Sequence, residues 1–489
     1  MAETAQILGF LPRKKGKTFF SAPKGTRLFR VKRGKDAITR DVSGLPLPVW
    51  PDGGWSPEMA GFIHSLAEKN LSLADRGGTP GTYVSQLSHI VRFCHGKKID
   101  FHNLKDGDFI DFIDELTAKT PDGERSRSDR SVVSIGRRTL SFLDFVGNRW
   151  HIPDFLSPDG AFIKAELRTY TKASDGRSPV VRQYWHHSCL PAKSPEDKRY
   201  PVPEDYINRL RKAVHGIKSS GFVKRRRLVL LRALDMTGGR RIELANLRVS
   251  DVLSAKAMER PFLKLLTFKR GGEPVPRLVP VSHSELDYLI EYIKFYRGPL
   301  VARRLGKEDN DFVFLNEKTG APIKPNTITL ELHLLRKAAG IEGKAHPHLF
   351  RHRYITLALF RLVRAYNVQN KDQFSELLAH MTRFAQEVME RTGHKSMSSL
   401  SRYVDWVFAL SASVEGNPET VEVSELGRTG RASVSELEAM RDEMSDQEFA
   451  AEAFVRLKGL VRDISKVDGR RENQISESML GKAVKNRPV

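Results

Sequence analysis

His348-Leu349-Phe350-Arg351-His352 and, further on, Thr392-Gly393-His394-Lys395-Ser396 followed by Tyr403 are the stretches around which this 489-residue chain is read. In the first, His348 and Arg351 stand three residues apart, a spacing that puts both on one face of a helix. Tyr403 follows His394 by nine residues. Upstream, Thr237-Gly238-Gly239-Arg240-Arg241-Ile242-Glu243-Leu244 carries Arg-x-x-Glu directly after a Thr-Gly turn. Between these boxes, Phe268-Lys269-Arg270-Gly271-Gly272 has the residues of a hairpin turn. In chain order the set is arginine, lysine, histidine, arginine, histidine, tyrosine. Phosphodiester exchange without a metal needs these groups: a nucleophile, a clamp for developing negative charge, and an acid for the leaving oxygen.

This ordered set resembles the tyrosine recombinases, also called the phage integrase family. The resemblance implies that Tyr403 is the nucleophile, leaving a 3′-phosphotyrosyl bond and a 5′-hydroxyl that can reverse the step without ATP. A phenol titrates near about 10, and a cationic cluster helps it ionise. Arg240 and Arg351 would clamp the non-bridging oxygens, because guanidinium offers planar, paired donors and keeps its charge. Arg240, not Arg241, matches the fourth residue of the family's Thr-Gly-x-Arg-x-x-Glu-Leu pattern. Lys269 would protonate the departing 5′-oxygen, while His348 and His394 would bind the phosphate and assist proton transfer at the tyrosine. Glu243 would brace its arginine. His352, directly after Arg351, is expected to point elsewhere as a structural partner, and His346 has no family match. No acidic pair or histidine cluster calls for a metal, so no cofactor is expected.

Two features depart from the family pattern. Arg351 and His394 are 43 residues apart (394 − 351), more than family members show, and Thr392 replaces an apolar residue before Gly-His. The excess carries Phe374, Leu377, Leu378, Met381, Phe384, Ala385, Val388 and Met389 at helical spacing, which predicts an extended or extra helix.

Composition fits a partner of opposite charge. The formal charge is +22 and the isoelectric point about 9.9, which point to a polyanionic partner, nucleic acid ahead of an acidic membrane surface, and the resemblance implies double-stranded DNA. No apolar run approaches a membrane span, and Met1-Ala2-Glu3-Thr4 does not read as a signal peptide. With two cysteines, Cys94 and Cys189, no disulfide framework is implied and a reducing cytoplasm fits.

The length predicts two or three domains. Residues 1–54 read as a basic arm, free of acids over 10–35, with Arg13, Lys14, Lys15, Lys17, Arg30, Lys32 and Arg33 as phosphate contacts. Residues 55–150 read as a helical unit, with helices starting at Ser56-Pro57-Glu58, near Pro80, at Asp106 and at Ser128. Its order resembles the family's core-binding domain, which clamps the duplex, and Arg137 and Arg138 are its leading backbone contacts, with Arg125, Arg127 and Arg130 beside them. Periodicity fades over 151–202, read as an interdomain linker in which His186-His187-Ser188-Cys189 reflects packing. Residues 203–411 form the catalytic domain, mainly helical, with an antiparallel pair over 262–268 and 277–281. Residues 412–489 read as a linker over 415–431 and a helical tail, with capping boxes at Ser433 to Glu436 and Ser445 to Glu448. Packing on the chain's own catalytic domain and contact with another protomer are equally compatible with that tail.

The fold class is therefore mostly α, or α+β: a helical domain followed by a mainly helical catalytic domain with a small antiparallel sheet. The resemblance implies a site-specific DNA recombinase or integrase of a mobile element, acting as a homo-oligomer, a dimer on each site and a tetramer at synapsis. The alternatives are a type IB topoisomerase or hairpin-forming resolvase with the same chemistry, and a catalytically idle DNA-binding architectural protein.

Overall fold

Pro57 occupies the first turn of helix α1 (Pro57–Glu68), where a missing N–H leaves no intrahelical bond unmade. Helices α2 (Ala74–Lys97), α3 (Asp106–Thr117) and α4 (Asp129–Arg149) follow in the expected order. Helix α2 starts earlier than Pro80 suggests, since a proline inside a helix removes one intrahelical bond and packing can offset that. The computed structural model describes residues 16, 18–31, 37–69, 71, 73–118, 126–160, 162–174, 177–192, 200–268, 274–381, 384, 386, 388–390, 400, 403, 404, 406–408, 418–441 and 444–485. These fall into two compact units, the first over residues 1–197 and 268–273 and the second over 198–267 and 274–489.

In the first unit the apolar stripes of the four helices meet in one core. Met59, Ile63, Leu87, Ile90, Phe109, Phe112, Leu140 and Leu143 are all buried there. Phe142 meets Phe62 and Phe101 edge-on, at ring-centroid distances of 5.5 and 5.0 Å.

Two segments outside the helices join this core. Strand β1 (Phe19–Ser21) pairs antiparallel with β4 (Pro46–Pro48), and β2 (Arg27–Val31) pairs with β3 (Ala37–Asp41). Ala22, Val42 and Leu45 are buried among the helical side chains, and Arg40 Nη2 donates to the Leu71 carbonyl at 2.8 Å. Part of the stretch read as an arm is thus fastened to the bundle by the apolar residues that interleave its cations. Arg13, Lys14, Lys15, Lys17, Lys32 and Arg33 lie outside the described residues, and Arg30 is on β2.

Residues 151–202 are also structured. The short parallel pair β5 (Leu156–Ser157) and β6 (Ile163–Lys164) is followed by a long hairpin, β7 (Glu166–Ser174) and β8 (Arg177–His186). The hairpin shows no apolar alternation in sequence because its described residues 166–171 and 181–183 are exposed on both faces. His187 is buried in packing: its Nδ1 accepts from the Cys189 N–H at 3.0 Å, which leaves Nε2–H to donate to Asp106 Oδ1 at 2.9 Å.

The second unit is built from α5 (Glu204–Gly216), α6 (Gly221–Thr237), α7 (Arg241–Ala245) and α8 (Val249–Lys256), then the hairpin β9 (Phe262–Thr267) and β10 (Val275–Pro280). Helix α9 (His283–Tyr292) runs through a π-helical turn, Ile293–Arg297, into α10 (Gly298–Arg304). Helices α11 (Pro325–Ala338), α12 (Pro347–Ala365) and α13 (Lys371–His380) complete the main body. The architecture is mainly helical with small antiparallel sheets, as the sequence predicts.

The extra length after Arg351 is helix: α12 continues to Ala365 and α13 follows. Phe384 packs edge-on against Phe374 and Tyr366 at 5.4 and 4.9 Å, so the excess forms a hydrophobic layer against the unit's core.

The C-terminal helices α14 (Pro418–Met440) and α15 (Asp446–Lys485) pack on this same unit. Ser445 and Glu448 form the predicted capping box, with N–H to side-chain bonds of 3.0 and 3.3 Å. Two expectations fail here. The segment read as a linker is helical from Pro418, and the Ser433 box lies inside α14, where Glu436 instead turns inward to meet Arg211 and Arg456 at 3.4 and 3.6 Å. The helices are joined to the body through Arg225, 2% exposed, which donates to Glu452 at 2.5 Å and Glu291 at 3.3 Å and lies 4.6 Å from the Tyr288 ring centre. Removing one partner of a buried ion pair leaves a charge uncompensated. Glu452→Ala is therefore expected to destabilise the second unit by about 3–5 kcal/mol, read as a lowered urea midpoint.

Candidate active site

The site begins where α6 ends. Thr237 Oγ1 donates to the Ala233 carbonyl at 2.5 Å and accepts the Gly239 N–H at 3.0 Å, closing the last turn. Gly238 then adopts a left-handed conformation at φ 54°, and a Cβ there would come within 2.6 Å of Tyr354 Cβ. Only glycine meets both demands. The turn delivers Arg240 to the N-cap of α7, three residues before Glu243.

Glu243 is fully buried and takes four hydrogen bonds. The Arg240 N–H donates to Oε2 at 3.0 Å and Arg240 Nη1 to Oε1 at 2.5 Å. Thr267 Oγ1, from β9, donates to Oε1 at 3.0 Å, and Arg277 Nη2, from β10, to Oε2 at 2.9 Å. Burial pushes the carboxyl up, but Arg277 and Arg240 with their hydrogen bonds outweigh it and hold the pKa at about 2.

Arg351 lies in the early turns of α12, 2% exposed, and its Nη1 donates to the Gly238 carbonyl at 3.0 Å. Arg240 and Arg351 therefore meet at one turn, the first beside it and the second bonded to it. Burial, then repulsion from Arg240 and Arg277, pushes the Arg351 guanidinium down to about 9. Such a cluster of cations is stabilised by an incoming anion.

On the same helix, the His348 and His352 rings meet edge-on at 4.4 Å, and the His352 ring lies 5.4 Å from that of Tyr403. His352 does not point away from the site. Its four-residue offset from His348 puts both on one helix face, a signal present in the sequence. Tyr403 is 5% exposed, its N–H donates to the Leu400 carbonyl at 2.8 Å, and its side chain interacts electrostatically with Arg351. Lys269 and His394 lie outside the described residues.

Arg277 was not singled out by any motif. It stands two positions before the buried Val279 and opposite Leu265, an inward position in a two-stranded sheet, and that placement of a charge was its signal. In the first unit, Arg137 is exposed with its guanidinium 4.2 Å from the Tyr184 ring centre, whereas Arg138 is half-buried at 3.3 Å over Tyr83. Arg138 thus serves packing more than solvent-facing contact.

Residues 202–365 match the model of the Phage integrase family. It is similar to tyrosine recombinase XerC of Pediococcus pentosaceus, 28% identical over 201 residues that make up 41% of this chain and 60% of that protein. It is also similar to XerC of Halalkalibacterium halodurans, 21% identical over 292 residues, 55% of this chain and 93% of the relative. A solved structure of the XerH site-specific recombinase bound to palindromic difH substrate, a post-cleavage complex, aligns with a TM-score of 0.40 at 16% identity, covering 73% of this chain and 87% of that one.

The Glu243 carboxyl titrates below its ordinary value of 4.5 when folded. Its contribution to stability is thus full above that pH and lost as pH falls toward 2. Glu243→Gln is expected to lose about 3 kcal/mol at neutral pH, the drop in pKa taken at about 1.4 kcal/mol per unit. Urea melts of parent and variant should differ most at neutral pH and converge in acid.

Proposed function

We propose that this protein is a site-specific DNA recombinase or integrase that cuts and rejoins duplex DNA through a 3′-phosphotyrosyl bond at Tyr403, in the service of a mobile element. The observation that carries this reading is the convergence of Arg240 and Arg351 on the Gly238 turn, with the Tyr403 ring 5.4 Å from that of His352, the neighbour of Arg351 on α12. In this reading the two guanidinium groups hold the non-bridging oxygens of the scissile phosphate, and Glu243 keeps Arg240 aimed. The Tyr403 oxygen attacks phosphorus and gives up its proton, with His348 and His394 assisting. The bond from phosphorus to the 5′-oxygen breaks, and Lys269 protonates the departing oxygen. A partner 5′-hydroxyl then attacks the phosphotyrosine and releases Tyr403.

Because Tyr403 is tucked into the core, its segment has to turn outward before a phosphate can reach it. Residues 203–411 perform the chemistry in this scheme, and residues 55–150 hold the duplex. Exchange between two sites requires several protomers, a dimer on each site and a tetramer at synapsis.

The test is a nicked suicide duplex of a candidate site, on which cleavage traps the covalent adduct. Tyr403→Phe should abolish the adduct while duplex binding persists. An adduct mapped to another tyrosine would overturn the assignment, and relaxation of a supercoiled plasmid lacking any special site would point to a topoisomerase.

Leaving-group chemistry tests Lys269 separately. Lys269→Ala should slow cleavage by about 10²–10⁴, and a bridging sulfur, which departs without a proton, should restore most of the rate. Arg240→Ala should show no such rescue in single-turnover assays, since charge on the non-bridging oxygens is unchanged by the sulfur.

A further inference from the structure

The hairpin of β7 and β8 has no role in the scheme above. Its strands are 9 and 10 residues long, which at about 3.4 Å per residue gives a span of roughly 30 Å. At its base Trp185 packs against the core of the first unit. Beyond the base, residues 166–171 and 181–183 are exposed, and Val181, Leu167 and Tyr170 remain 64%, 48% and 46% accessible. A two-stranded ribbon with water on both faces gains little from burial and is marginal by itself. A ligand laid along one of its faces would steady it.

The register separates the two faces. Arg168 stands opposite Tyr184 and Tyr170 opposite Arg182, so these four share one face. The Tyr170 and Tyr184 rings meet at 5.8 Å, and the Arg137 guanidinium of α4 lies 4.2 Å from the Tyr184 ring centre. Cations and aromatic rings thus alternate along this face. The acid there, Glu166, accepts from Arg168 at 2.8 Å in an exposed pair that a phosphate can displace. On the other face Leu167, Thr169 and Thr171 stand opposite Trp185, Gln183 and Val181, with no charge among them.

We infer that the β7–β8 ribbon is a second DNA-contacting element, which lays its Arg168, Tyr170, Arg182 and Tyr184 face along the phosphates of a duplex. Arginine and tyrosine both donate to phosphate oxygens, and a two-stranded ribbon is of a size that duplex grooves admit. A protein partner would be better met by the uncharged face, so the charge distribution favours nucleic acid. The inference rests on the reading of the protein as DNA-acting.

The test compares the parent with the double variant Arg168→Gln, Arg182→Gln, both exposed positions. The slope of log affinity against log salt should become shallower by about 1.8, at about 0.9 per phosphate contact, with the thermal midpoint unchanged. Independently, a photo-crosslinker on Tyr170→Cys, an exposed position on the same face as the two arginines, should attach to bound duplex. An unchanged slope together with no crosslink overturns the ribbon as a DNA site. Adduct formation by the parent on the suicide duplex is measured alongside. An adduct with an unchanged slope and no crosslink sinks the ribbon alone, and a parent that neither binds nor cleaves sinks the proposed function and the ribbon with it.

Discussion

Four hydrogen bonds to one buried carboxylate hold the second unit's site in place. Glu243 ties together the α6–α7 turn through Arg240, strand β9 through Thr267 and strand β10 through Arg277. In a low-dielectric interior these charge-assisted bonds are strong, and a missing partner would leave charge without compensation. Two arginines share one acid, and Arg351 arrives on the carbonyl side of the same turn. The cationic cluster is therefore assembled before any anion is present.

What the sequence discloses about this site is what it encodes locally. The spacing of Arg240 and Glu243 across one helical turn and of His348 and Arg351 on one helix face can be read from a few consecutive residues. So can the amphipathic helices α1, α3 and α4, whose cores follow a simple period. Arg277 escapes such a reading because its partner is 34 residues away, across a sheet register that no motif marks. The strands of the first 50 residues and of the β7–β8 ribbon are hidden for a different reason. Their apolar residues either interleave with cations or remain in water, so neither period stands out. Helix α14 looks like a linker because two glycines and scattered polar residues break its apolar period, yet Gly430 lets Leu460 of α15 approach, with a Cβ position 3.3 Å away.

The basic composition also needs reapportioning. Not every cation is available to a polyanion, because α6 carries Arg225, Arg226, Arg227 and Arg232 inside the second unit. Arg226 and Arg227 both reach Glu331 of α11, at 2.7 and 2.6 Å. Net charge alone therefore overstates the cationic surface of this unit. By contrast, Arg168 and Arg182 on the β7–β8 ribbon are exposed, the first in a surface pair with Glu166.

The burial of Arg225 beneath α15 has a consequence for how such a chain can change over generations. An arginine in that position is tolerable only with its acidic companions on α9 and α15, and those acids are tolerable only with the arginine. The three sites lie 66 and 161 residues apart in the sequence (291 − 225 and 452 − 291), so a single gene-exchange breakpoint between them would bring together halves with unmatched charges. Lineages that carry the two C-terminal helices should therefore inherit them together with the arginine of α6. In relatives without the two helices, that position should be uncharged.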